Sequence, residues 1–554
     1  MKWDPALKTM DPPKTVFTTQ RFSEDQIRCF QGYRNLRSYH PGLLSLQPKL
    51  KDPSGDLQIL LDHFWRWNSQ TTPVKRGAAT VSILSASGNT TTAEAFCKIT
   101  HTVDPVRWIK GKYSTDTHSI EEYARYITKV SDPMNQAYVE ALTYYCVSKL
   151  RESGASPHFP LFYGSFTAVA DTYRLNITDD YDSYKHTKWY WNGIDTHKFA
   201  LHVEGETETA SQLDELTRRP SFLEDDSSSA ESDSTDKDDD EELNDDAHRA
   251  HEEASIHSAD NMSFKTGPDD TSEDDSCVET PEFFMDIQNF PVILMYLEKS
   301  DGVLDDLQAD RDQVGARPGT PEWERIWSAW IFQIIAACCV MQHTMSLTHN
   351  DLHTNNIVWS STTEEFLYYK RRNGTLWKVP TFGKVFRVID FGRAVFRIHN
   401  RVIYSDDFAE GNDAATQYNF GPLRDPKGHE VPPNPSFDLC RLAVSMFENL
   451  FPEEPNRKKG GKVLSSEPGL EVTETTSDLF NTMWSWMVTD FGENVLINGE
   501  GEEKYPNFDL YKVIAEECHQ ARPCDQLDKK PFSQFILKQN AALSADQKVY
   551  SLFF

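Results

Sequence analysis

The chain has 554 residues, 38% hydrophobic and 12% aromatic, enough apolar material for two or three domains or for one two-lobed fold with insertions. Its formal charge of −30 is concentrated: Ser221–Thr280 holds 22 Asp and Glu against Lys237, Arg249 and Lys265, so the remainder is mildly acidic and argues against a nucleic-acid partner. Nine cysteines with no C-x-x-C pair exclude a disulfide framework and a zinc site, and no apolar signal core or bilayer-length run argues for a membrane partner, so an intracellular, cytoplasmic protein is expected.

Residues 1–73 read as an N-terminal extension, whose strongest element, LQILLDHFWRW at Leu57–Trp67, has the apolar spacing of a helix. From Ala78 to Ile99 the pattern turns to short strands, with Gly88 in the GNTTT turn and Lys98 in the apolar strand AEAFCKI. Pro133–Leu150 reads as a helix with Glu140 midway, and Ser156–Phe166 as the strand that follows. Two aromatic, strand-forming pieces come next, at Trp189–Trp191 and Phe199–Val203. The acidic tract, about 214–280, is too polar and self-repelling to offset the entropy of ordering, and reads as a disordered insert able to bind a basic partner. Order resumes at Phe290 with a buried strand, FPVILMYLE, followed by the long apolar helix Glu322–Met345.

Two motifs follow. Thr348–Val358 reads THNDLHTNNIV, with Asp351 and Asn356 five apart behind His349. Val388–Ala394 reads VIDFGRA, with Asp390 and Gly392 behind an apolar run. A hairpin is expected around Asn373–Gly374 between them, and Asp438 heads a helix in NPSFDLCRLAVSMFENL. The two motifs resemble the catalytic loop and DFG turn of the protein-kinase fold. In order, Lys98 to about Leu450 resembles a divergent eukaryotic-type protein kinase of haspin-like flavour. The phrases THNDLHTNNIVW, VPTFGKVFRVIDFGRA and DAATQYNF resemble a kinase-like family of large DNA viruses of protists, which would place the protein in host cytoplasm or virion.

The resemblance implies an α+β, bilobal protein-kinase-like fold. Its small β-rich lobe with one long helix would span 74–300, including the insert, and its larger, mostly helical lobe 301–554. It implies ATP with Mg²⁺ or Mn²⁺ as cofactors and a protein substrate. Asp351 would orient the attacking hydroxyl, and Asn356 and Asp390 would hold the metal. Lys98 would clamp the nucleotide phosphates, paired with Glu140; Glu121 and Glu122 are rivals for that pairing. Gly88 would lie in the phosphate lid, and Met295 to Glu298 in the adenine-binding hinge. Met295 and Leu297 are its binding residues, and Leu294 or Met295 stands at the gate. His349, Gly392 and Asp438 would be structural supports.

Four departures accompany the likeness. The phosphate loop has the single glycine Gly88, and VPPNPS replaces the A-P-E triplet. Asn350 stands where most kinases have the Arg that grips a phosphorylated activation segment, so activity independent of phosphorylation at Thr416 or Tyr418 is expected. His353 stands where protein-serine kinases carry the Lys that steadies the γ-phosphate, so the resemblance implies a catalytic His353 acting there as a softer, pH-dependent donor. A Ser/Thr protein kinase is the leading reading; a binding-only scaffold and a small-molecule hydroxyl kinase are the others.

Overall fold

The computed structural model describes residues 18–50, 57–62, 64–70, 72, 74, 77–205, 217–220, 281–398, 401–412, 414–418, 427, 429, 432–506, 508–538 and 547–553. The architecture is mixed α+β, built on one curled antiparallel sheet and a set of helices. The sheet strands are β1 (Tyr33–Arg37), β2 (Trp65–Gln70), β3 (Ala78–Ser85), β4 (Thr90–His101), β5 (Phe162–Asn176), β6 (Phe199–Glu204) and β7 (Glu282–Glu298). Their spatial order is β1-β5-β7-β4-β3-β2, with β6 paired to the first part of β7.

Alternation decides which side each strand covers. In β3, Ala79, Val81, Ile83 and Ser85 are buried while the residues between them are half-buried. Along β7, Leu294 and Tyr296 join an outer cluster with Trp67, Phe30 and Phe166, whereas Ile293, Met295 and Leu297 join the large inner core. Helix α1 (Ile120–Ser131) buries none of its residues, whereas α2 (Gln136–Glu152) lies in the inner core and is buried almost throughout.

The longest helix, α3 (Pro321–Met345), starts with Thr320 Oγ1 accepting from the Trp323 N–H at 3.3 Å and with Pro321 in its first turn. It is long and apolar enough to cross a membrane, yet 94% of its most apolar window is buried inside this fold. Strands β8 (Ile357–Ser361), β9 (Phe366–Lys370), β10 (Leu376–Pro380) and β11 (Lys384–Val388) carry the chain between the two motifs. β9 and β10 form the hairpin expected around Asn373–Gly374, with Gly374 at φ +93°. Helices α4 (Phe437–Leu450) and α5 (Asp509–Glu517) complete the scaffold of the site.

Two sequence expectations are corrected. Leu57–Trp67 is not a helix: Leu57–Leu60 pairs with Thr18–Arg21, and β2 then pairs with β3, setting Trp67 opposite Ile83 at 4% exposure. Its apolar spacing fits either period, and the sheet edge supplies the hydrogen bonds that decide it. Thus β1 and β2, both within 1–73, are strands of the main sheet. Trp189–Trp191 is not a strand either but part of the helix Lys188–Asp195, which lays Gly193 so close to Phe199 that an added Cβ would sit 2.6 Å from the ring. Phe199–Val203 does form a strand. The acidic tract lies outside the described residues except for Thr217–Pro220.

Candidate active site

Lys98 sits near the end of β4, and its neighbours on that face are fixed by register. Met295 of β7 is its direct cross-strand partner, so both side chains point to the same side, toward α2. There Lys98 Nζ donates to Glu140 Oε1 at 2.6 Å and to Asp390 Oδ2 at 2.8 Å. Glu140 is 1% exposed, so α2 delivers a carboxylate into a nearly dry site. Glu121 and Glu122 lie on α1, away from Lys98 in its ion pairs.

The three charges set one another's protonation. Burial works against the Lys98 cation, but the Asp390 and Glu140 carboxylates more than offset it and raise its pKa above the lysine range. Burial pushes Glu140 up to about 7 against the pull of Lys98, with the Asp390 charge adding to the rise. Burial would also raise Asp390, yet Lys98 outweighs it and holds this carboxyl below its ordinary value. A charged Lys98–Asp390 pair therefore persists when Glu140 is protonated.

The turn that presents Asp390 is pinned from three directions. The Asp390 N–H donates to Tyr144 Oη of α2 at 2.8 Å, and the Ile389 N–H donates to the Asn356 carbonyl at 3.0 Å. Phe391 is fully buried between Tyr144 and His349, with ring centroids 5.3 and 5.1 Å away. Asp390 itself has φ +62°, a region costly for a side chain with a Cβ and sustained here by these contacts. Gly392 packs on α2: a Cβ there would come 3.2 Å from Gln136 Nε2.

The Thr348–Val358 loop is held from below by Asp438. Its carboxylate accepts the His349 N–H at 3.0 and 3.1 Å and the Asn350 N–H at 3.0 Å, so it supports the loop rather than merely capping α4. Burial pushes Asp438 up to about 7, opposed by those N–H donors. Asn350 has φ +66°, which short amide side chains tolerate, and its Nδ2 donates to the Thr348 and Arg393 carbonyls at 3.2 and 3.0 Å. His349 Nε2 meets the Ile389 carbonyl at 2.8 Å, tying the two motifs together.

Asp351 is 6% exposed. Tyr511 Oη of α5 donates to its Oδ1 at 2.6 Å, and Arg393 Nη1 lies 3.6 Å from its Oδ2. Burial alone would raise its pKa, but Arg393, His353, Arg441 and the Tyr511 hydroxyl drive it well below the carboxylate range. Asn356 donates through Nδ2 to the Asp351 carbonyl at 2.9 Å and meets His353 Nε2 at 2.9 Å. With its amide nitrogen so engaged, the group it can offer a cation is its carbonyl oxygen.

Two assignments change on this geometry. Gly88 sits in the β3–β4 hairpin, with no atom within 4 Å of a would-be Cβ, roughly 25 Å along β4 from Lys98. The β2–β3 connection is the one beside Lys98. There Gly77, at φ +76°, accepts the Cys97 N–H at 2.6 Å, and an added Cβ would strike the Phe96 ring at 2.1 Å. Alternate hairpins leave a meander at opposite ends, so the glycine near Lys98 is Gly77, not Gly88. Met295 and Leu297 are likewise not an open backbone edge: both have ladder partners on β4 and on β5. They contribute apolar side chains beside Lys98, and an adenine edge would have to be met beyond Glu298.

Sequence reasoning did not single out Arg393, Asp407, Tyr144 or Tyr511, all of which touch the motif residues. Among the described residues no three His, Cys, Asp or Glu side chains gather as a metal site. The carboxylate of Asp390 and the amide of Asn356 are the hard oxygen donors at the junction of the two motifs. Such a sparse set suits Mg²⁺, which takes its other ligands from phosphate and water. Comparison of the sequence with protein-family models finds no match, and neither does comparison with curated proteins.

Proposed function

We propose that this protein is an ATP-dependent phosphotransferase with a bilobal, protein-kinase-like fold, transferring the γ-phosphoryl group to a protein Ser or Thr hydroxyl. The observation that carries the reading is the convergence of Lys98, Glu140 and Asp390 within hydrogen-bond reach, joined through His349 and Asn356 to the loop bearing Asp351. Phosphoryl transfer is largely a matter of positioning and charge stabilisation, and these groups supply both. Lys98 would neutralise nucleotide phosphate, and Glu140 orients its ammonium. Asp390 and Asn356 would hold Mg²⁺, which supplies charge neutralisation at the phosphates. Asp351, kept ionised by its neighbours, would orient the acceptor hydroxyl and take its proton.

A second reading, a nucleotide- or partner-binding scaffold without transfer, is favoured by one observation. Both Asp351 oxygens already face protein groups, Tyr511 and Arg393.

Purified full-length protein with labelled ATP and Mg²⁺, offered generic protein substrates and separately small hydroxyl compounds, tests the readings. Transfer to protein that falls by on the order of 10²–10⁴-fold in Asp351→Asn supports the first. Nucleotide binding with identical background in wild type and variant would establish the scaffold. Transfer to small compounds alone would replace the protein substrate with a small-molecule hydroxyl.

A further inference from the structure

Two adjacent carboxylates anchor the segment after Gly392 to its surroundings. Asp406 accepts the Gln136 N–H at the start of α2 at 2.9 Å and pairs with Lys129 near the end of α1, while its own N–H donates to the Met134 carbonyl at 2.7 Å. Asp407 accepts from Arg393 Nε at 2.9 Å, and Arg393 in turn reaches Asp351; the same Asp407 oxygen accepts more distantly, at 3.5 Å, from Gln136 Nε2. The side chains of Arg393 and Asp407 are only 4% and 5% exposed, so their attraction is little screened by solvent. The turn is locally set, with Ser405 Oγ accepting the Asp407 N–H at 3.1 Å and the Asp407 carbonyl accepting from Ala414 at 3.0 Å.

We propose that Asp406 and Asp407 are positioning residues that join the two halves of the site. Asp406 fixes the helix that carries Glu140 and thereby Lys98, and Asp407 fixes Arg393 and thereby Asp351. The inference rests on the phosphotransferase reading for its kinetic consequence. An added phosphate orders a segment by meeting a cation or the start of a helix. Here encoded carboxylates already occupy both, the helix N–H through Asp406 and the guanidinium through Asp407. The segment thus carries its ordering charge permanently, with Asp406 acting on the nucleotide side and Asp407, through its shorter bond to Arg393, chiefly on the acceptor side.

The test uses the full chain with Asp407→Asn, Asp407→Glu and Asp406→Asn, each measured for kcat, KM for MgATP and hydrogen exchange. Asp407→Asn should lower kcat on the order of 10²-fold with KM for MgATP unchanged, and speed exchange in residues 349–356. Asp407→Glu, which keeps the charge, should restore most of the rate. Asp406→Asn should instead raise KM for MgATP and speed exchange at the start of α2. Phosphatase treatment of wild type should alter none of these. The same response in both Asn variants, an unchanged kcat in Asp407→Asn, or loss of wild-type rate on phosphatase treatment would overturn the proposal. Should wild type transfer no phosphate at all, the phosphotransferase reading falls alone. The exchange patterns then decide: two separate patterns uphold the positioning roles, and a shared or absent response ends them.

Discussion

Asp390 Oδ2 lies 2.8 Å from Lys98 Nζ, so a strand that precedes the acidic tract and a turn far beyond it share one ion pair, buried on the lysine side and half-buried at the aspartate. Glu140 completes the group from α2 at 2.6 Å. Removing the cation leaves two carboxylates facing each other in a poorly solvated place. Lys98→Met should therefore cost about 3–5 kcal/mol of stability. On the proposed function MgATP raises the wild-type melting temperature, since a ligand preferring the folded state does so, and Lys98→Met should abolish that rise. Thermal unfolding with and without MgATP checks both parts, and an undiminished nucleotide shift would count against the phosphate-clamp role.

Stability should depend on pH through Glu140. Its folded pKa is raised to about 7 from 4.5, so the folded state holds this proton more tightly than the unfolded chain does. The associated stabilisation is full below the unfolded value and is lost as pH rises toward and through about 7. Glu140→Gln lacks this proton, so wild type should lose stability relative to the variant over that window. Denaturant unfolding of both at several pH values reads the slope directly, and parallel curves would refute it.

Asp438 accepts N–H groups from both His349 and Asn350. Asp438→Asn turns one acceptor oxygen into a donor facing those donors, while Asp438→Ala leaves them unsatisfied. Either should cost about 3 kcal/mol and loosen the loop carrying Asp351. Equilibrium unfolding gives the magnitude, and hydrogen exchange at 349–351 shows where the loss falls.

Tyr418 donates to Asn350 Oδ1 and is 5% exposed, so its hydroxyl serves the loop rather than standing open to modification. Tyr418→Phe should cost about 1–3 kcal/mol by leaving that buried oxygen unpaired. On the proposed phosphotransferase function, Thr416→Ala, which removes the other hydroxyl considered for phosphorylation, should leave the transfer rate unchanged. Rate measurements before and after phosphatase treatment test both residues together.

The elements that depend on local pattern were readable in the chain itself. Those are the helices around Glu140 and before His349, the hairpin at Asn373–Gly374, and the Asp, Asn and Gly residues of the two motifs, whose spacing is set within a few residues. The run at Leu57–Trp67 was not, because a short apolar stretch satisfies both periods and only its partners across the ladders, Thr18–Arg21 and β3, choose one. The roles of Arg393, although it lies within VIDFGRA, and of Asp407 and Tyr511 were hidden for a related reason. An arginine, an aspartate and a tyrosine carry no local signature, and their meaning comes from standing around Asp351 after α4, α5 and the Asp406 turn have packed. Residue type and spacing thus determined which groups are available for chemistry. Long-range pairing, through buried charges and strand register, decided which of them meet and which, like Gly88, are carried to the far end of a hairpin.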